Sequence, residues 1–314
     1  MLKSVYQHTV KTAFTVEGIG VHSGAPASLT VKPAPSSSGI VFVRTDVTDR
    51  PNVIPARWDH VTDTRLCTVV ANRDGVSVST VEHVLSAFAA MGLDNAIVEI
   101  DGPEVPIMDG SAVCFAEALM TAGLARQNAG RRALRVKKQV TLVDGDKEVT
   151  LTPADGQFFG FDIAFDNALI GKQSYTHELT EDTYRDAIAT ARTFGFLHEV
   201  EQLRKMGLAR GGSLDNAIVV DGDKVVNPDG LRFRDEFVRH KILDAIGDLY
   251  LAGMQLLGHY HGVKAGHAMN NRILHTLFAD ASAFEVVDLL EASKKNTQKR
   301  EFSGFQLSSM AAVL

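Results

Sequence analysis

In the segment FRDEFVRHKILDAIGDLYLAG over 233–253, His240, Asp244 and Asp248 recur at i, i+4 and i+8. On a helix each step of four advances a side chain by about 40° around the axis, so His240 and Asp244 can hold one ion while Asp248 sits further round, better placed to orient a neighbour. An isolated H-x-x-x-D says little, because the same spacing serves an ordinary pair on a solvated face. Its setting shifts the balance: Ile242, Leu243, Ile246 and Leu249 make the rest of the helix apolar. Polar groups on a buried helix need a partner, and a metal is one answer.

The segment STVEH over 79–83 offers a candidate third ligand, His83, at the start of a helical pattern over 81–91. Glu82 has two readings. With Ser79 it completes an S-x-x-E capping box and would then only cap the helix. Beside a ligand histidine, it stands where a general base for an attacking water belongs. His267 lies in the glycine-punctuated KAGH, after a predicted strand over 258–263, and is either a plain loop histidine or part of the same site. His259 and His261 read as strand or surface residues, and His8, His22, His60, His177, His198 and His275 have no partner at recognisable spacing. GIGVH over 18–22 completes neither G-x-G-x-x-G nor a phosphate loop and reads as a turn.

The elements that must carry these residues emerge from periodicity. Strands are expected over 28–32, 39–44 and 76–79, then the 81–91 helix stopped by Gly92, a strand over 95–100 and a helix over 112–123. RQNAGRR over 126–132 is polar and aperiodic and reads as a linker, with a domain boundary near Asn128. Beyond it, strands are expected over 133–142, 149–151 and 158–165 and helices over 181–191 and 233–257. LDNAIVEIDG from Leu93 returns as LDNAIVVDG from Leu214, about one domain later. Strands and helices interleaved twice, with hairpin turns, predict an α+β unit repeated twice, over 1–128 and 129–314.

Composition bounds the rest. The 314 residues exceed one ordinary core, since domains run to roughly 100–200 residues. Hydrophobic residues at 45% and charged residues at 22% fit a globular protein. No stretch approaches the ~20 apolar residues of a membrane span, and the N-terminus lacks a signal-peptide run, so stable membrane insertion is not expected. Cys67 and Cys114 are too few for a disulfide framework, which suits a reducing cytoplasm. A net charge of −6 argues against general nucleic-acid binding.

Several ordered motifs together resemble the UDP-3-O-acyl-N-acetylglucosamine deacetylases nearly end to end. They are EGIGVHSG (17–24), STVEHVLSAFAAMGLDNAIVEIDGPEVPIMDGSA (79–112), ARTFGF (191–196), GGSLDNAIVV (211–220), LRFRDEFVRHKILDAIGDLYLAG (231–253) and AGHAMNN (265–271). The resemblance implies a Zn²⁺ amidase of lipid A synthesis with its site between two similar α+β domains. His83, His240 and Asp244 would bind the metal, Glu82 would be the base and His267, held by Asp248, the acid. Thr193 would donate to the oxyanion. Lys147, Lys241 and Lys264 match basic positions near the diphosphate or sugar, and Phe165 an aromatic against the uracil. The family's acidic residue before that aromatic is Ala164 here, which leaves the uridine contacts open. After Phe194, the resemblance implies an apolar passage for the O-acyl chain, with Leu197, Val200, Leu203, Met206 and Leu208, then Gly212, Ala217 and Val219 on the return. A closed two-domain site needs no partner chain, so a monomer is expected. Two alternatives remain: an amidase for another acylated sugar, which keeps the metal set alone, and a metal-free sugar-nucleotide-binding protein, which keeps no metal.

Overall fold

A computed structural model describes residues 4–295. In the first half, strands Tyr6–Val10 (β1), Phe14–Ile19 (β2), Pro26–Pro33 (β3), Ile40–Arg44 (β4) and Val53–Pro55 (β5) come first. The short strands Val61–Asp63 (β6), Val69–Ala71 (β7) and Ser77–Val78 (β8) lead into helix Glu82–Met91 (α1), strand Ala96–Ile100 (β9) and helix Val113–Ala122 (α2). After Leu124–Gly130 (β10) come Arg132–Val136 (β11), Val140–Asp144 (β12), Lys147–Thr152 (β13), Gln157–Ala164 (β14) and Lys172–Glu178 (β15). Helix Glu181–Ala187 (α3), strand Phe194–Phe196 (β16), helix Leu197–Lys205 (α4) and strands Ile218–Asp221 (β17) and Lys224–Val225 (β18) precede helix Glu236–Tyr250 (α5). Gln255–Val263 (β19), His267–Ala279 (α6) and Phe284–Asp288 (β20) complete the described chain.

The α+β expectation holds, and the two halves share a topology. In each, an antiparallel hairpin (β2–β3, β12–β13) and a second antiparallel pair (β4–β5, β14–β15) are joined by the strand that comes after the first long helix. That strand, β9 or β19, runs antiparallel to β3 or β13 and parallel to β4 or β14. The sequence pattern explains the faces: along β3, Ala27, Leu29 and Val31 are buried in alternation, the period of a sheet covered on one side. Helix α1 is buried along its whole length and packs chiefly on α5. Gly247 permits their closest approach, since a Cβ there would stand 1.9 Å from the carbonyl oxygen of Glu82. Among the described residues no helix is long and apolar enough to cross a membrane.

Five sequence expectations are corrected. The 126–132 stretch is no loose linker, because β10 pairs antiparallel with β1 and Arg131 is buried, its guanidinium holding Asp94 and the Gly92 carbonyl. A polar strand is stable there because its partner comes from the far end of the half, which local periodicity does not reveal. The LDNAIV repeat does not mark matching strands either: its first copy forms β9 in the five-stranded sheet, its second β17 in a small sheet with β16 and β18. Short apolar alternation specifies a strand but not its sheet. Helix α5 ends at Tyr250, before Gly253 at φ +81°, and 255–257 belongs to β19. The expected 133–142 strand is two, β11 and β12. In GIGVH, Gly18 and Ile19 end β2, and only the residues after them turn.

Candidate metal centre and active site

Helix α5 presents His240 and Asp244 one turn apart, and α1 brings His83 against them from the other half. Nε2 of His240 and Nε2 of His83 stand 3.3 Å and 3.6 Å from Oδ1 of Asp244, and the two imidazole rings meet edge to face at 5.0 Å. All three side chains are buried, and their donor atoms lie within 4.8 Å of one another. Nδ1–H of His240 donates to the Ala191 carbonyl at 3.0 Å. A carbonyl only accepts, so the proton is on Nδ1 and the lone pair of Nε2 faces the cluster. Burial holds the His240 pKa down to about 3, which keeps the ring neutral. Burial alone would raise Asp244, but the Lys241 ammonium beside it holds it well below the carboxylate range, so it stays anionic. Two imidazoles and one carboxylate, buried and converging, fit a divalent metal with a position left open, as catalytic sites have. Nδ1 of His83 is buried with no hydrogen-bond partner among the described residues.

Glu82 does not cap its helix. The N-terminus of α1 has no side-chain cap, and the Ser79 hydroxyl donates to the Pro103 carbonyl instead. The Glu82 carboxylate points inward: Oε2 accepts the Thr68 N–H at 3.0 Å, and Oε1 lies 3.9 Å from Nε2 of His267. Burial pushes its pKa above the usual range, with His267 and His83 opposing. Nδ1–H of His267 donates to Oδ2 of Asp248 at 2.8 Å, the contact the family resemblance implies, made by the residue whose i+8 place suggested an orienting role. Asn270 donates to the same oxygen, and the Thr68 hydroxyl to the other. Burial opposes the charge on His267, but Asp248 and then Glu82 raise its pKa to about 9.

The ammonium of Lys241 lies 2.8 Å from Oδ2 of Asp244 and 5.7 Å from the Phe194 ring centre. Burial opposes its charge as well, yet Asp244 keeps its pKa above the ordinary value. Thr193 is placed by its N–H, which donates to the Gly110 carbonyl at 2.8 Å; its hydroxyl has no hydrogen-bond partner among the described residues. A cavity of about 400 Å³ opens from Glu82, His83 and Thr193 and runs along Phe194, Leu197, Val200 and Leu203 to Gly212, Ala217, Val219 and Val226. Met206 falls outside it, 62% exposed at the end of α4, because the helix turns that side to solvent. Leu208 is not among the lining residues. Phe165 packs on Phe194 at 5.7 Å and Phe196 at 6.0 Å. Lys147 opens β13 at the surface, and Lys264 pairs with Asp146 at 2.7 Å; neither lines the cavity.

Three contributors were not singled out from the sequence. Thr68 reaches Glu82 and Asp248, Asn270 reaches Asp248, and His22 lines the cavity. The turn bearing His22 is held by Glu104, whose carboxylate accepts the N–H groups of His22 and Ser23 at 2.8 Å each. The contacts of Thr68 span 14 and 180 positions of chain, beyond any local pattern. For His22 the available signal was its place inside EGIGVHSG, one of the matching motifs.

The family model described as UDP-3-O-acyl N-acetylglycosamine deacetylase matches residues 7–279. A protein named UDP-3-O-acyl-N-acetylglucosamine deacetylase from Phenylobacterium zucineum (strain HLK1) is 50% identical over 292 residues, 92% of this chain and 100% of that one. Proteins of the same name from Myxococcus xanthus (strain DK1622) and Pasteurella multocida (strain Pm70) are 48% identical over 313 residues and 46% over 285. They cover 99% and 90% of this chain and 96% and 93% of their own lengths. With so long a match, and a buried two-histidine, one-carboxylate cluster between matching halves, the chain belongs to the UDP-3-O-acyl N-acetylglycosamine deacetylase family.

Proposed function

We propose that this chain hydrolyses the N-acetyl group of UDP-3-O-(3-hydroxyacyl)-N-acetylglucosamine, releasing acetate, the committed step of lipid A synthesis. One Zn²⁺ would be held by His83, His240 and Asp244. When bound, such an ion supplies Lewis acidity at the acetyl carbonyl and makes water a better nucleophile. Glu82, with its pKa raised by burial, takes the proton of the attacking water. The acetyl carbon becomes tetrahedral, and the free hydroxyl of Thr193 donates to its oxyanion. As the C–N bond breaks, the cationic His267, steadied by Asp248, gives its Nε2 proton to the leaving amine nitrogen. Lys241 lends positive charge beside Asp244 and the sugar, and Lys147, Lys264 and Phe165 would meet the UDP portion. The O-acyl chain lies in the cavity past Phe194, lined by Leu203, Gly212, Ala217 and Val219.

The observation that carries this reading is the Glu82 carboxylate 3.9 Å from the His267 imidazole, with Glu82 and His83 lining the head of an apolar cavity where His240 and Asp244 converge on His83. In this reading residues 1–128 and 129–314 act as two domains around one site, the protein works as a monomer in the cytoplasm, and its two free cysteines suit that compartment. The test is acetate release by metal-quantified protein from the UDP sugar with and without its O-acyl group. Rapid turnover confined to the acylated form supports the proposal; equal turnover of both, or none with stoichiometric metal present, refutes it.

A further inference from the structure

We infer that Thr68 is a positioning residue that fixes the base and the acid relative to each other across the two halves; this rests on the roles proposed for Glu82 and His267. Thr68 directly precedes β7 and is buried. Its backbone N–H donates to Oε2 of Glu82 at 3.0 Å, and its hydroxyl donates to Oδ1 of Asp248 at 2.5 Å. Its carbonyl accepts the Val81 N–H at 3.3 Å, just ahead of α1. One residue of a short insert therefore touches the carboxylate of one half and, through Asp248, the imidazole of the other.

The physical consequence lies in how a carboxylate is held. With donors on one oxygen only, it can swing about its Cβ–Cγ bond. Asp248 has Nδ1–H of His267 and the Asn270 amide at Oδ2, both at 2.8 Å, and Asn270 is in turn held by the buried Tyr260 hydroxyl. Thr68 supplies the donor on the opposite oxygen. Oδ2 is then fixed in place, and the plane of the His267 ring is fixed with it. Because the same residue binds Glu82 through its backbone, base and acid are both tied to one residue. A buried acceptor stripped of its donor is costly, so Asp248 would turn to find another and carry His267 with it.

Thr68→Val keeps the shape and the backbone arm and deletes only the hydroxyl arm. In metal-loaded full-length protein it is expected to lower kcat by about 10- to 100-fold, with KM and metal content unchanged. Thr68→Ser should restore kcat to within about 3-fold of wild type. In a His267→Ala background the valine change should cost less than about 2-fold further, because the group it positions is gone; a merely structural role would subtract the same factor in both backgrounds. Wild-type kcat in Thr68→Val, an equal loss in both backgrounds, or no recovery in Thr68→Ser overturns the inference. Should the valine variant not fold, Thr68→Ala carries the same cycle and the same outcomes. Wild-type turnover by His267→Ala removes the proposed acid and this inference with it, whereas an impaired His267→Ala beside an unaffected Thr68→Val removes the inference alone.

Discussion

Helices α1 and α5 occupy matching places in the two halves and carry unequal chemistry. In α1 the ionisable side chains stand at one end, Glu82 and His83 in the first turn, and the remainder of the helix is apolar apart from Ser86. In α5 they run along the whole helix: Glu236 and Arg239 are ion-paired with Arg192 and Asp235 near its start, and His240, Lys241, Asp244 and Asp248 follow at the site. In the proposed mechanism the first half thus supplies the base and one metal ligand, and the second supplies two ligands, the acid and the carboxylate that orients it. Neither set is complete until Gly247 lets the helices touch. The inserts differ in the same way: β6–β8 brings the polar bridge of Thr68, while α4 with β16–β18 brings an apolar cavity. Matching backbones determine where a site forms, and unmatched side chains determine what it does.

If the metal joins the halves, ligands from either side are equally indispensable. His83→Ala, His240→Ala and Asp244→Ala should each lose metal together with activity, by roughly 1000-fold or more, since such an ion contributes several kcal/mol to the barrier. Metal analysis of the purified variants checks this, and full occupancy in His83→Ala would falsify the shared site. Chelation of the wild type should also lower the melting temperature, because an ion bound only by the folded state stabilises it.

Next in size is the base that the proposal assigns to α1. Glu82→Gln should retain metal and lose about 100- to 10,000-fold in kcat. A glutamine variant at wild-type rate would move the base to the α5 side.

The acid proposed in the second half should appear in the pH profile. His267, raised to about 9, is protonated below that value and loses its proton as pH rises through it, so kcat/KM declines on the basic side. A bound dication repels that proton and draws the limb below 9. His267→Ala should lower the rate about 10- to 100-fold and abolish that limb; a preserved limb assigns it elsewhere.

The inserts offer a smaller contrast. Ala217→Phe or Gly212→Leu should reduce kcat/KM for a long-chain substrate by roughly 50-fold, the equivalent of three displaced methylenes at about 0.8 kcal/mol each, and leave the des-acyl sugar nearly unaffected. Equal losses on both substrates would instead place the chain elsewhere. Smallest of all is Ser79→Ala, expected to lower unfolding stability by less than about 1 kcal/mol, because its exposed hydroxyl bonds only the Pro103 carbonyl and caps nothing; a loss of about 2 kcal/mol would restore the capping box.

By itself the sequence determined whatever depends on local period and residue type. His240, Asp244 and Asp248 were legible because an α-helix converts a spacing of four into neighbouring positions, and the orienting role of Asp248 came from the same drift. Strands such as β3 and β9 and helices α1 and α5 were legible because alternation and 3.6-residue periods record which face is buried. Tertiary structure decided what depends on distant partners. It turned Glu82 from a possible cap into an inward carboxylate, made a polar stretch into β10 by pairing it with β1, and sent the second LDNAIV copy to a different sheet. It also brought Thr68 onto Asp248. Each of these rests on a hydrogen bond or contact between residues far apart in the chain, and such a contact leaves no period in the sequence around either partner.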